Sequence, residues 1–574
     1  MPNIMKSRFF DDVGDKPLQE YPRPQLVRSG YLNLNGLWKY AIRGLSEEFD
    51  GNYDGDILVP FSPETLLSRV QRKVTADDLL YYNLEFEIPD GFLKDKTILH
   101  FTAVDYACVV KLNGCYVGSH EGGFFPFDFD VTDSIMNGTN VLQVEVYDPS
   151  GEGVQARGKQ SDNPGTIWYT PQSGIWGTVW LESVPAMYIS DLKIVPDIDS
   201  DTVKIWAETE APEVTVEVLD GDDVIASESG PSPLFVILPS YELWSPENPK
   251  LYDLRIIAGE DEVLSYFGMR KFGVGPDENG VQRLMLNNKP YFHNGVLDQG
   301  YWSDGMLTAP SDEALIYDIE MLKDMGFNMI RKHIKIEPLR WYYHCDRLGM
   351  LVWQDMVNGG GEYNLFCVGI LPLLNINLND TKHRKFFARE DESGREEYMC
   401  DLDRTLDLLK NQTSVAMWVP FNEGWGQFDS KAVTEHIRSV DPTRTIDSTS
   451  GWHDQGGGDF VSKHIYFYPI YVPKDSRCFL LSEFGGYSKP TPGHMYTKKA
   501  FGYHMYPTKG LLQRAYKKLF ERRIIRNIPR GLSATVYTQV SDVEGEVNGL
   551  ITYDRRVEKF DRDFLRGINE KVHL

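Results

Sequence analysis

Residues 415–427, VAMWVPFNEGWGQ, run apolar from Val415 to Phe421 and end in Asn422 and Glu423, with Gly424 and Gly426 just beyond. The run is too short for an ordinary helix and reads as a strand covered on both faces. Residues 477–486, RCFLLSEFGG, repeat the design, with Cys478 to Leu481 preceding Glu483 and the pair Gly485 and Gly486. Two carboxyl groups at the carboxyl ends of two buried strands lie where barrel enzymes gather their functional groups. The chemistry that needs facing carboxyls is glycosidic bond cleavage, one group giving a proton and the other acting as nucleophile or base. Taken singly, either glutamate is as well explained as a solvated loop residue. Together, with Asn422 directly before one of them, they favour function.

The elements that must position these acids alternate in type from residue 276 onward. Strand signals fall at 290–296, 328–333, 351–356, 415–422, 444–448, 464–468, 478–483 and 533–539. Helical spacing at 312–325, opened by Ser311 as a cap, and at 434–440 completes the pattern of a (β/α)8 TIM barrel over 276–574. A long insertion, 358–395, is apolar first and charged later, which suits a substrate-shaping loop on the active face. Ahead of the barrel, short alternating strands and Gly, Pro, Asn and Asp punctuation predict a jelly-roll β-sandwich over 1–185, with an Asn-Gly hairpin at Asn113 and Gly114. A second sandwich of immunoglobulin-like size is expected over 186–275, without a Cys…Trp…Cys pattern.

NEGWG and SEFGG resemble the acid/base and nucleophile motifs of glycoside hydrolase family 2. LNLNGLWKY, PQSGIWGTVWLE, LWSPENPKLYDL, NMIRKH, CDRLGMLVWQD and EVNGLITYDR also resemble that family, in its order, so the likeness covers nearly the whole chain. The resemblance implies a sugar-binding-like first domain and a retaining exo-β-glycosidase of β-galactosidase type, with Glu423 as acid/base and Glu483 as nucleophile. β-Mannosidase, β-glucuronidase and arabinopyranosidase specificities stay open on the same fold, as does a catalytically dead carbohydrate-binding protein. Asn422 is suited to a sugar 2-hydroxyl, Arg331 to holding Glu483 ionised, and His333 loosely matches the family's arginine and histidine pair. Tyr466, ahead of Tyr468, is the candidate donor to the nucleophile. Tyr537 stands where galactosidases and glucuronidases carry a strand-eight tryptophan. The absence of Asn-x-Lys at 546–549 argues against a glucuronidase, and Asp298 is the candidate for a sugar hydroxyl in a loop that lacks the family's histidine. Trp302, Trp425 and Trp452, in loops after strands one, four and five, suggest a stacking rim. Trp168 and Tyr169 precede a segment that resembles a loop reaching the barrel mouth.

The 574 residues exceed one core and divide into about three or four domains. Lys plus Arg number 59 against 84 Asp plus Glu, a net charge of −25 that argues against nucleic acid or an anionic membrane as partner. A glycoside or oligosaccharide is the expected partner, and homo-oligomerisation is left open. The six cysteines show no zinc spacing. No cofactor is expected, Mg or Na being suggested by the family resemblance alone. An N-terminus without an apolar h-region predicts a cytoplasmic protein, or a periplasmic one if a leader was removed.

Overall fold

In the computed structural model, residues 5–374 and 376–574 are described. Residues 1–4, which open the N-terminal stretch discussed above, and residue 375, inside the insertion, lie outside them. The first domain packs a four-stranded sheet against a six-stranded sheet. The smaller runs in the spatial order Tyr31–Asn33, Val179–Val184, Lys96–Phe101, Phe127–Asp130; the larger is centred on Asp78–Ile88 and Gly138–Tyr147. Alternation along Gly138–Tyr147 sends Val144 and Val146 into a core with Trp38, Tyr82 and Leu99. Asn113 and Gly114, both at positive φ (52° and 81°), turn Ala107–Leu112 into Cys115–Glu121. The second domain is a plain sandwich of three and four antiparallel strands between Asp191 and Phe267, filled by Val216, Leu254 and Ile256.

The third domain is a parallel barrel. Its strands, in chain order, are His293–Asp298, Met329–Lys332, Leu351–Asp355, Val415–Val419, Thr445–Ile446, Phe460–Ile465, Cys478–Gly485 and Leu532–Thr538. They pair in the order five, four, three, two, one, eight, seven, six, so hydrogen bonding is open between the fifth and sixth strands alone. Period-two alternation builds two layers. Leu297, Met329, Trp353 and Leu480 fill the barrel interior and meet Phe272, Leu284 and Leu286 of a small antiparallel sheet that closes its amino end. Val296, Ile330, Val352 and Trp418 face the helices, including Asp312–Asp324, whose cap Ser311 accepts from the Ala314 amide. With the amino end sealed, the carboxyl end is left for chemistry.

Several expectations shift. The first strand begins at His293, because Lys289–Pro290 pairs within the small sheet instead. The sixth strand is Phe460–Ile465 rather than 464–468, so Tyr466 lies just past its end, and Phe467 and Tyr468 are exposed in the loop ahead of Pro469. The fifth shrinks to two residues. The insertion after strand three contains a wide helical turn, Phe366–Ile370, and the start of a long helix, Glu392–Leu408.

Candidate active site

Strand four delivers Asn422 and Glu423 just beyond Val419, and strand seven carries Glu483 within its last turn of chain. Glu423 takes a left-handed backbone (φ 51°), its amide held by the Ser450 carbonyl at 3.0 Å. Such a conformation in a non-glycine residue is costly and aims the carboxyl inward. Between the two acids stands His464: Nδ1 is 2.7 Å from Glu423 Oε1 and Nε2 is 3.6 Å from Glu483 Oε1. One ligand-capable atom from each of Glu423, His464 and Glu483 lies within 4.8 Å of the others.

The donors around the two acids are unequal. Glu483 accepts from Arg331 Nη1 at 3.2 Å and from the Tyr466 hydroxyl at 2.5 Å. Arg331, fully buried, also donates to Asn422 Oδ1 at 2.7 Å and grips Asp355 with Nε at 2.9 Å and Nη2 at 3.0 Å. Glu423 has His464 alone. The His464 Nε2 faces Arg331, which can only donate, and the Ser450 hydroxyl at 3.1 Å. Its proton is therefore assigned to Nδ1 and donated to Glu423 Oε1, leaving Oε2 without a hydrogen bond among the described residues.

Burial dominates the titration of all three groups. It pushes Glu423 up to about 7, against the opposing charges of Lys159 and Arg331. It raises Glu483 as well, with Glu423 adding to the rise and His464, Arg331 and Tyr466 opposing it. It pushes His464 down to about 4, so this imidazole is neutral near pH 7. His333 is likewise held well below its ordinary value, by burial first and then by Lys159 and Arg331; its Nδ1 donates to Asp355 Oδ2 at 2.7 Å.

A cleft of about 900 Å³ opens over these groups, lined among others by Glu423, Trp425, Trp452, His464 and Tyr466. Trp425 packs on Trp168 (centroids 5.2 Å apart) and Tyr363, with Lys159 Nζ 4.4 Å from its ring centre. Trp168 and Lys159 come from the first domain, as does Tyr169, whose hydroxyl donates to Glu546 at 2.6 Å. Lys159 Nζ makes no hydrogen bond or ion pair among the described residues, although the residue is 5% exposed.

Three residues named from the sequence lie elsewhere. Asp298 points to the helix side of strand one, the side of Val296, and is bound by Lys332 at 2.5 Å. Tyr537 faces the helices too, against Tyr516 and Phe484, because alternation gives the cleft side of strand eight to Thr538, whose hydroxyl is 3.0 Å from Tyr466. Trp302 is buried under the Arg555 guanidinium and next to Phe9, away from the rim that Trp425 and Trp452 form. Conversely, sequence reasoning passed over His464, Asp355, Lys159, Glu546 and Tyr503, which stacks on Tyr466 at 4.0 Å. Asp355 had a signal, since it ends its strand as Glu423 nearly ends its own. His464 was hidden by the misplaced sixth strand.

The Mg or Na suggested by family resemblance finds no oxygen cage at this cluster, the one His and carboxylate group of its kind among the described residues. Such ions want a cage of several oxygens, whereas Glu423, His464 and Glu483 offer an imidazole and two carboxyls with the Arg331 cation beside them.

A nearly closed barrel of eight parallel strands with paired glutamates at its carboxyl end has the arrangement that the glycoside hydrolase class uses. Comparison with known proteins gives the family. Residues 279–527 match the TIM barrel domain of glycosyl hydrolases family 2, residues 63–185 its sugar binding domain, and residues 187–270 the intervening family 2 domain. The chain belongs to glycoside hydrolase family 2. It is 25% identical over 413 residues to a β-galactosidase of Streptococcus thermophilus, covering 67% of this chain but 37% of that one. The chain thus spans well under half the length of that relative. It is also 25% identical over 430 residues to a β-glucuronidase of Streptococcus agalactiae serotype V, covering 70% of this chain and 68% of the other. Among solved structures, the β-D-glucuronidase of Dictyoglomus thermophilum superposes with a TM-score of 0.74 at 19% identity, over 96% of this chain and 98% of its own.

Proposed function

We propose that the protein is a retaining exo-β-glycosidase in which Glu483 is the nucleophile and Glu423 the acid/base. The observation that carries this reading is the asymmetry of donors: Glu483 has a guanidinium and a phenol to stabilise its charge, whereas Glu423 has one neutral imidazole and a free Oε2. In the first step Glu483 attacks the anomeric carbon while the Glu423 Oε2 proton passes to the departing glycosidic oxygen. The bond to the aglycone breaks, and a glycosyl ester forms on Glu483. In the second, Glu423, now a carboxylate, takes a proton from water, the water oxygen attacks the same carbon, and Glu483 is released. Two inversions leave the configuration unchanged. A separation within 4.8 Å is in keeping with the roughly 5 Å of retaining pairs, too short for an intervening water. Asn422, oriented by Arg331, is placed for the sugar 2-hydroxyl, and His333 keeps Nε2 free for another hydroxyl.

The β-galactosidases among the curated relatives support a terminal β-galactoside as the sugar, and the β-glucuronidase among them supports a hexuronide. A β-hexuronide is the second reading, favoured by the Lys159 ammonium, which stands unpaired beside the acids and Trp425 and would meet a sugar carboxylate. Nitrophenyl β-galactoside, β-glucuronide and β-galacturonide tested in parallel separate the two. NMR of the first-formed sugar tests the mechanism, with the β-anomer expected first. Early appearance of the α-anomer would rule out the double displacement.

A further inference from the structure

The four-stranded sheet of the first domain gives Leu99, Phe101, Val179 and Leu181 to the sandwich core, so alternation turns the residues between them the other way. On that second face Trp180 pairs with His100 and His100 with Asp128, and the Trp180 and His100 rings stack at 4.7 Å. Thr102 is next along the same face. Such a face would ordinarily meet water, but here the barrel covers it with Leu315, Ile336, Leu339 and Leu408, and the second domain with Leu192. The cover does not close on the sheet. A cavity of about 230 Å³ lies where the three domains meet, and none of its lining residues lines the catalytic cleft.

The polar groups on its walls fall into two sets. Most are spent: Gln25 Nε2 donates to the Asn411 carbonyl at 2.8 Å, Asn411 Nδ2 to the Leu192 carbonyl at 2.7 Å, and Thr308 Oγ1 to the Trp176 carbonyl at 2.7 Å. Lys410 is bound by Asp191 and Asp407, Arg23 by Glu182, and Glu337 by Lys332 and Lys335. Buried without a partner are Trp180 Nε1, Thr102 Oγ1 and Arg23 Nε, the tryptophan being only 2% exposed. An indole N–H can only donate, and leaving it unpaired costs free energy that an acceptor would recover. Charge narrows the choice of acceptor. Asp128, Asp191 and Asp407 also line the cavity, against the cations Arg23 and Lys410 that are already paired, so a carboxylate would be repelled. We infer that this cavity is a second ligand site, for a neutral aromatic or alicyclic molecule carrying one acceptor oxygen that the Trp180 N–H would bind. Since an apolar cavity of about 150 Å³ takes benzene, a molecule of about eight to ten heavy atoms fits this one. The stacked rings offer it a flat floor and the leucines an aliphatic roof. None of this depends on the glycosidase reading.

The test is a fluorine NMR titration of the full chain with three probes that share a ring: 4-fluoroacetophenone, 1-ethyl-4-fluorobenzene, which lacks the acceptor, and 4-fluorobenzoate, which is anionic. The ketone is expected to bind saturably, about fivefold more tightly than the ethyl compound and at least about tenfold more tightly than the benzoate. Trp180→Phe should erase the margin between ketone and ethyl compound while changing the affinity for the ethyl compound less than about twofold, a split that general loosening of the fold would not produce. Leu408→Trp, which puts an indole into the cavity, should abolish saturable binding of both neutral probes. Absence of saturable binding to the parent chain overturns the inference, leaving the cavity to water. A ketone that binds no better than the ethyl compound overturns it too, as does a benzoate that matches the ketone. Binding that survives Leu408→Trp places the probe elsewhere, as in the catalytic cleft, and overturns it as well. If that variant fails to fold, the Trp180→Phe split decides the location by itself.

Discussion

Glu182 and Glu423 are both buried glutamates at strand ends or within strands, and they ionise in opposite directions. Glu182, in the first domain, is 1% exposed and ringed by Arg23, Arg28, His100 and the Tyr21 hydroxyl, with Arg28 Nη1 at 3.6 Å and His100 Nε2 at 3.0 Å. Burial alone would raise it, yet the surrounding cations, Arg23 foremost, reverse the sign and hold it well below the usual range. Glu423 is 7% exposed with one neutral partner, and burial wins. Equal burial with unequal partners separates a carboxylate that holds a fold together from one that can carry a proton.

The largest effect should come from removing charge where chemistry needs it. Glu483→Gln is expected to lower kcat by at least about 10⁴-fold, some 5.5 kcal/mol of transition-state stabilisation, with a calorimetric melting temperature close to that of the parent. Near-native turnover would dissolve the contrast with Glu182. The reverse pattern is expected of Glu182→Gln, where stranding Arg23 and Arg28 should cost roughly 3–5 kcal/mol in a urea titration. Because the folded-state value of Glu182 is depressed, its stabilisation is present above the ordinary value of 4.5 and is lost as pH falls below it. Parent and variant should therefore converge in stability in acid; a constant difference down to low pH would show that the cluster is not electrostatic.

Smaller effects sharpen the roles of the two catalytic candidates. In Glu423→Ala, azide should restore turnover of a dinitrophenyl glycoside by about tenfold or more and yield the β-glycosyl azide, since azide needs no general base. Glu483→Ala should give the α-azide; the opposite pairing of variants and products exchanges the roles. The pH profile is the gentlest probe. Activity should fall above about pH 7 as Glu423 loses its proton, and fall on the acid side as Glu483 gains one. Tyr466→Phe removes a donor that favours the ionised nucleophile, so the acid limb should move to higher pH, with a rate loss of about tenfold. An unmoved acid limb would leave Tyr466 a packing residue.

Much of this contrast was legible in the sequence, because burial follows from patterning. The apolar runs before Glu423 and Glu483 identified both strands, and the glycines beyond each acid marked the ends of those strands. What the sequence hid was mostly side-chain direction at loop junctions and partners drawn from afar. A shift in the sixth strand concealed His464 and placed Tyr466, named as a donor to Glu483, on a misdrawn element. Asp298, Tyr537 and Trp302 were chosen for type and proximity to strand ends, yet alternation or a distant arginine claims each of them. Lys159 gave no signal at all, since its approach to Trp425 depends on how two domains meet.

That meeting makes the smallest working unit of this protein larger than its barrel. A gene fragment encoding the barrel alone would lack the ring that packs on Trp425, the phenol that satisfies Glu546 and the ammonium beside the acids. Recombination that exchanged the amino-terminal module between relatives would thus rebuild one wall of the reactive centre without altering a single barrel codon. In a lineage of such enzymes, substrate range would be inherited through two modules at once, and the sandwich would diverge with the chemistry rather than drift as a spacer.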